Sequence, residues 1–242
     1  MRSIAFFNKK PTDAEVALLA KFLGTFRDGS GNYPEDDGTT RADYKQIEVS
    51  FAELLGGKAF GNKKYYDFCV SENDSGGITV RGASIKSKEL AEIADFPKVK
   101  AELRAHMEVS NSSAADWKLC KDRNLGEEDW IGNDSQTPAE RNDFAQKFGQ
   151  LILDRQSIQR HKHEDEYIKN GHAKKFSHDD SIFISLLYTK PVGKKKERQY
   201  LVASYPIYLP KPHRWSFRAP KSSKAVNPTL VGLVFPQISR QI

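Results

Sequence analysis

Cysteine is scarce: the 242-residue chain holds two, Cys69 and Cys120. Two thiols so far apart exclude a disulfide-stapled framework and any zinc finger built on cysteine pairs. Long apolar runs are missing as well. No stretch approaches the ~18 residues needed to cross a bilayer. The start, Met1-Arg2-Ser3-Ile4-Ala5-Phe6-Phe7-Asn8, has too short an apolar run for a secretory signal. A soluble, cytoplasmic protein with no membrane partner is expected. A phosphate-cradling glycine loop is also lacking, since Gly29-Ser30-Gly31 has no lysine and helix after it. No repeat, low-complexity linker or clear boundary divides the chain, so a single domain over 1–242 is expected. What remains is a globular balance, 38% hydrophobic and 29% charged, which excludes a disordered or fibrous chain.

The net charge of +6 is unevenly spread. Residues 181–242 hold 11 Lys or Arg against one acid, Glu197, which leaves 27 basic and 31 acidic residues before them. The last quarter is therefore read as a positive surface on a slightly acidic body. Such a surface concentrates polyanions and suits phosphate contacts. Tyr188, Tyr200, Tyr205, Tyr208, Trp215, Phe217 and Phe235 lie in the same segment, which argues that it is folded rather than a basic tail.

Local patterns place the elements. Thr12 and Glu15 form a capping box for a helix from Asp13 to about Phe26. A loop rich in Gly, Asp and Asn follows, from Arg27 to Thr40. A second helix is expected from about Arg41 to Leu55, stopped by Gly56-Gly57. Tyr65–Val70 and Ile78–Lys86 read as strands, with a turn at Asn73-Asp74-Ser75-Gly76-Gly77. Residues 88–135 read as helical or irregular, with a helix near Lys98 to Glu108. Thr137-Pro138-Ala139-Glu140 is a complete helix start, and Phe144, Phe148, Leu151 and Ile152 form an apolar stripe after it. That helix is expected to end in the polar run His161 to Glu166. Strands return at Ser181–Tyr188 and Gln199–Leu209, joined by a hairpin tip from Lys190 to Glu197, and again at Leu230–Phe235. The fold class is α/β, a mixed central β-sheet flanked by helices.

The chemistry gathers around Asp67 and Lys86. Side chains alternate along a strand, so Ser84 and Lys86 share a face, and adjacent pairing brings Asp67 close to both. An acid on one strand and a lysine on the next suit a metal-dependent phosphodiesterase. The acid binds a divalent ion that polarises the phosphate and activates water, and the lysine stabilises developing charge. One carboxylate is a poor magnesium site, and Ser84 carries no charge. The expected second helix offers Glu48 and Glu53. At about 100° per residue, Tyr44, Ile47, Phe51, Leu54 and Leu55 form an apolar face with Glu48 at its edge and Glu53 on the far side. A carboxylate turned toward a core is costly unless paired or metal-bound, so Glu48 is the expected second metal acid. Glu72 and Asp74 offer further carboxylates as extra ligands, but their place in the turn favours solvation.

These segments resemble a known family. Gln46-Ile47-Glu48 through Ala52-Glu53-Leu54-Leu55-Gly56-Gly57, then Tyr66-Asp67-Phe68, then Gly82-Ala83-Ser84-Ile85-Lys86-Ser87-Lys88 are similar to the catalytic core of type II restriction endonucleases. More narrowly, they resemble the branch of the PD-(D/E)XK nuclease superfamily with a helix glutamate and a Ser-X-Lys strand. Ser110–Trp117 resembles a segment that follows the core. The core spans about 41–120, and the basic part about 181–242. Two departures stand out: Tyr66 replaces a proline before Asp67, and Ser84 replaces the second acid. The resemblance implies magnesium-dependent cleavage of double-stranded DNA at a short sequence, usually by a homodimer. Asp67, Glu48, Lys86 and Ser84 would form the catalytic site, with Mg2+ on Asp67 and Glu48.

Two stretches are expected to grip DNA. Lys194, Lys195, Lys196 and Arg198 sit at the hairpin tip, where lysines position the protein on phosphates. Lys211, His213, Arg214, Arg218, Lys221 and Lys224 follow, and Arg214 or Arg218 suits reading guanine edges. His161, Lys162, His163, Asn170 and His172 suggest an HNH-like nuclease, but the spacing is poor and a solvated helix end accounts for them better. A repair or structure-specific nuclease of the same fold, and a non-catalytic DNA-binding protein, remain as alternatives.

Overall fold

The computed structural model of the chain describes residues 3–60, 64–90, 118–125, 137–191, 197–207, 211–218 and 229–232. The chain divides into two compact units. The first takes the described residues within Met1–Val109 and Lys162–Ile207, the second those within Ser110–His161 and Tyr208–Phe235.

Local signals start the helices of the first unit. The helix α1 (Asp13–Leu23) has its capping box: Glu15 N–H donates to Thr12 Oγ1, and Thr12 N–H donates to Glu15 Oε2 at 2.7 Å. It ends before the expected Phe26, because Thr25–Phe26 joins a small sheet as β1. Two more short strands, β2 (Tyr33–Pro34) and β3 (Thr40–Arg41), complete it in the order β1-β3-β2, where a plain loop was expected. Arg41 belongs to that sheet, so the next helix, α2, spans Tyr44–Leu54, capped by Asp43 and Gln46. Gly56 then takes a left-handed backbone, φ 66°, and turns the chain into an unexpected strand, β4 (Gly57–Ala59).

The central sheet is mixed, and the fold is α/β. It contains β5 (Phe68–Asp74), β6 (Gly77–Leu90), β7 (Lys175–Phe176), β8 (Ile182–Thr189) and β9 (Tyr200–Pro206). The order is β4-β5-β6-β8-β9, with β7 also beside β6. β6 pairs parallel to β8 and to β7, and the other pairings are antiparallel. The β5–β6 turn is tighter than expected, since the strands run on to Asp74 and Gly77.

Alternation gives the sheet two apolar faces. Phe68, Val70, Ala83, Ile184 and Leu186 pack with Leu19 and Leu23 of α1 and with Ile47, Phe51 and Ala52 of α2. Cys69 and Val80 pack in a second cluster with Tyr65, Tyr66, Ala173 and Phe176. Glu72 shares a face with Phe68 and Val70. It is buried and ion-paired with Arg81 at 2.9 Å rather than solvated, because β5 extends past it.

The long helix α3 (Pro138–Lys169) is divided between the units at His161 and Lys162. Its start has the expected box, Glu140 N–H donating to Thr137 Oγ1 and Thr137 N–H to Glu140 Oε2. In the second unit, Phe144, Phe148 and Ile152 pack with Cys120. The strands β10 (Trp215–Arg218) and β11 (Thr229–Gly232) pair antiparallel there, β10 being unexpected. The helix expected near Lys98 to Glu108 and the segment Ser110–Trp117 lie outside the described residues. Among the described residues, no helix is long and apolar enough to cross a membrane.

α3 does not end at His161–Glu166. It runs on because His163 and Tyr167, one turn apart, face inward. His163 is 3% exposed, against Phe60, Tyr66, Tyr167 and Phe176, and neither ring nitrogen has a partner among the described residues. Burial and then the Lys64 charge push its pKa down to about 4.

Two expectations follow. Gly82 lies against Tyr66, so a Cβ there would sit 2.2 Å from a ring atom. Gly82→Ala should destabilise the first unit by about 1–3 kcal/mol in denaturant unfolding. Unfolded histidine binds a proton below pH 6.5, whereas folded His163 stays neutral to about pH 4, so its contribution is lost as pH falls through that window. Relative to His163→Phe, the wild type should lose on the order of 2 kcal/mol between pH 7 and pH 5. An unfolding series at several pH values checks this.

Candidate active site

Asp67 stands just before β5, where its N–H donates to Ala83 O at 2.9 Å. The β5–β6 register sets Phe68 opposite Ala83, which brings the Asp67 carboxylate to the next two residues of β6. Its Oδ2 accepts from Ser84 Oγ at 3.2 Å and from Ile85 N–H at 2.5 Å. Oδ1 has no hydrogen bond to any described residue. Burial raises the pKa of Asp67, against the Ile85 N–H, the Lys86 charge and the Ser84 hydroxyl, which all favour its charged form.

Lys86 is partly exposed on β6, its ammonium 5.9 Å from the centre of the Phe183 ring, and its charge acts on Asp67. Ser84 is buried, 1% exposed, and serves Asp67 directly. Glu48 comes from α2, half-buried at the edge of the apolar face made by Ile47 and Phe51. It makes no hydrogen bond or ion pair with a described residue. Burial first, then the charges of Asp67 and Asp43, push its pKa up to about 7. Glu53 is exposed.

The structure thus brings Glu48, Asp67, Ser84 and Lys86 together at one end of β5. No group of three or more His, Cys, Asp or Glu side chains suited to a metal occurs among the described residues. Two carboxylates with unclaimed lone pairs still fit a hard cation of magnesium type. Such an ion commonly takes one or two carboxylates and fills its remaining positions with water and phosphate oxygens. Burial raises the Glu48 pKa most, and the Asp67 charge adds to it, since two half-buried carboxylates resist being charged together without a cation.

The expected DNA contacts divide differently. Arg198 is corrected: it is buried, 9% exposed, not on a hairpin surface. Its guanidinium donates to Glu35 at 2.5 Å, to Glu89 at 3.0 Å and to Thr189 O at 2.8 Å. Lys211, His213 and Arg214 are exposed, and a short 3-10 turn, Pro212–Arg214, carries the last two. Arg218 lies on β10. Lys194, Lys195, Lys196, Lys221 and Lys224 lie outside the described residues.

Sequence reasoning missed two contributors. The Ile85 N–H is a backbone donor with no side-chain signature. Tyr66, His178 and Glu164 form a hydrogen-bonded chain beside Asp67, from segments too far apart to be linked by pattern. Comparisons of the chain with models of known families, with curated proteins and with solved structures found no match.

Glu48 offers a direct check. In the metal-free protein its carboxyl should titrate near pH 7, read by carbon NMR of labelled glutamate. Asp67→Asn should lower that value part of the way toward 4.5, because burial, the larger cause, remains. The folded pKa exceeds the unfolded one, so this group destabilises the metal-free fold as pH rises from 4.5 to about 7. Glu48→Gln should remove that slope.

Proposed function

We propose that the chain is a magnesium-dependent endonuclease that hydrolyses phosphodiester bonds of double-stranded DNA at a specific sequence, a cytoplasmic type II restriction enzyme. One observation carries the reading. Glu48 and Asp67 are half-buried, electrostatically coupled carboxylates with unused oxygens, next to the Lys86 ammonium. Structural acids of this fold are matched by cations instead, as Glu72 is by Arg81.

Each residue has a role in that reaction. Asp67 and Glu48 hold the magnesium ion. When bound, the ion polarises the scissile phosphate and lowers the pKa of water. Ser84 and the Ile85 N–H fix Oδ2 of Asp67 and leave Oδ1 free for ligation. Lys86 orients the attacking water and holds charge developing on the phosphate. Exposed Lys211 and Arg214 suit the DNA backbone, the chemistry expected of a basic C-terminal part. A homodimer would select a two-fold site, as in the family the core resembles.

Purified protein incubated with a long, unmethylated, defined duplex tests the reading. Discrete fragments should form with magnesium and not with EDTA. Lys86→Ala should slow cleavage by about 10²–10³-fold, and Asp67→Asn and Glu48→Gln should each leave the duplex uncut even with magnesium present. Intact duplex in every lane would sink the proposal. Retarded but uncut DNA, unaffected by EDTA, would make the protein a binding module.

A further inference from the structure

Tyr66 is fully buried, 0% exposed, and sits immediately before Asp67. Its ring lies on Gly82 and stacks on Phe176, with centroids 5.3 Å apart and planes at 22°. Its hydroxyl is 2.8 Å from His178 Nδ1, and His178 Nε2 is 3.0 Å from Glu164 Oε2. With the phenol donating to Nδ1, Nε2 keeps its proton and donates it to the carboxylate. The chain therefore ties three segments together: the residue before Asp67, the segment between β7 and β8, and the end of α3.

Both sides of Asp67 meet in this arrangement. Tyr66 fixes the backbone that enters Asp67. Gly82, beneath the ring, lies on the strand whose Ser84 and Ile85 hold the Asp67 carboxylate. Gly82 is fixed in turn, its N–H donating to Ser181 Oγ at 2.9 Å, and Ser181 donates to Ser177 O at 2.7 Å. Ring packing alone does not need the hydroxyl, which a phenylalanine would omit at almost the same volume.

We propose that Tyr66, His178 and Glu164 are positioning residues that hold Asp67 for cation binding through the hydrogen-bonded chain Tyr66–His178–Glu164. The inference rests on Asp67 being a metal ligand, as in the function proposed above. A buried phenol needs a partner for stability in any case. The distinguishing property is that breaking the chain weakens cation binding rather than only the fold.

The test titrates Mn2+ into the purified full chain and follows the free-ion signal by electron paramagnetic resonance, beside a thermal unfolding curve for each variant. Asp67→Asn should abolish binding. Tyr66→Phe and Glu164→Ala should each weaken it roughly fivefold, less than the loss typical of a direct hydrogen-bond partner of a ligand. Glu164→Gln, whose amide oxygen still accepts from His178, should bind within about twofold of the wild type. Glu164 is partly exposed, so its two variants decide the matter even where Tyr66→Phe unfolds. Wild-type affinity in Tyr66→Phe and Glu164→Ala, with no Mn2+ binding by Asp67→Asn, overturns the positioning role and leaves the metal site standing. A lowered melting temperature with unchanged Mn2+ binding does the same. Absence of Mn2+ binding by the wild type overturns both the site and this inference.

Discussion

Parallel pairing of β6 with β8, from Ala83 opposite Ile182 to Leu90 opposite Thr189, constrains every neighbouring element of the first unit. Such strands are covered on both faces, so each side chain must be apolar, small or paired. β8 meets this with near-continuous burial from Ile182 to Leu187. β6 meets it with small residues, Gly82, Ala83 and Ser84, over which larger neighbours close. Tyr66 occupies the space above Gly82, and α2 lies over the face that holds Ala83. Coverage then thins, with Ile85 and Lys86 partly exposed and Ser87 and Lys88 exposed. The candidate site lies at that change, where a buried strand gives Asp67 two rigid donors and the next residues open to solvent.

The buried and half-buried acids of the first unit fall into two groups, those matched by a cation and those that are not. Glu72 is matched by Arg81, and Glu35 and Glu89 are matched by Arg198, with Arg41 also on Glu35. Those pairs compensate the loss of solvent. Asp67 receives two donors, and Glu48 receives none from the described residues. A glutamine at position 48 would remove the repulsion from Asp67 and keep nearly the same shape. A lone glutamate there makes physical sense where a cation completes the pair, because the ion turns a repulsive contact into two favourable ones.

What could be read from sequence follows the range of the interactions. Capping boxes act over three residues, so Thr12 with Glu15 and Thr137 with Glu140 were legible. Asp67, Ser84 and Lys86 were legible as neighbours because one hairpin joins them, and the position of Glu48 follows from helical periodicity. Strands of two or three residues, such as β1, β2 and β4, are too short to show a period. His163 was misread because it sits in a polar run, His161 to Glu166, whose inward face becomes visible only once Phe60 and Phe176 are folded against it. The Tyr66–His178–Glu164 chain joins residues 112 apart in sequence, beyond any local pattern.

Arg198 shows why a segment's charge count is not a map of its surface field. It adds to the positive total of the last quarter, yet its guanidinium is enclosed by Glu35, Glu89 and Thr189 O, with the Tyr188 ring 5.5 Å away. Its acidic partners come from 163 and 109 residues earlier, so the count places them in the acidic body. Pairing across that division cancels charge that sequence bookkeeping assigns to opposite surfaces. A buried, matched arginine adds little to the attraction of a polyanion, and counterion release follows only from cations that reach phosphate. Lys211 and Arg214, both exposed, meet that condition of access, and the same condition decides the weight of every other basic residue in the segment.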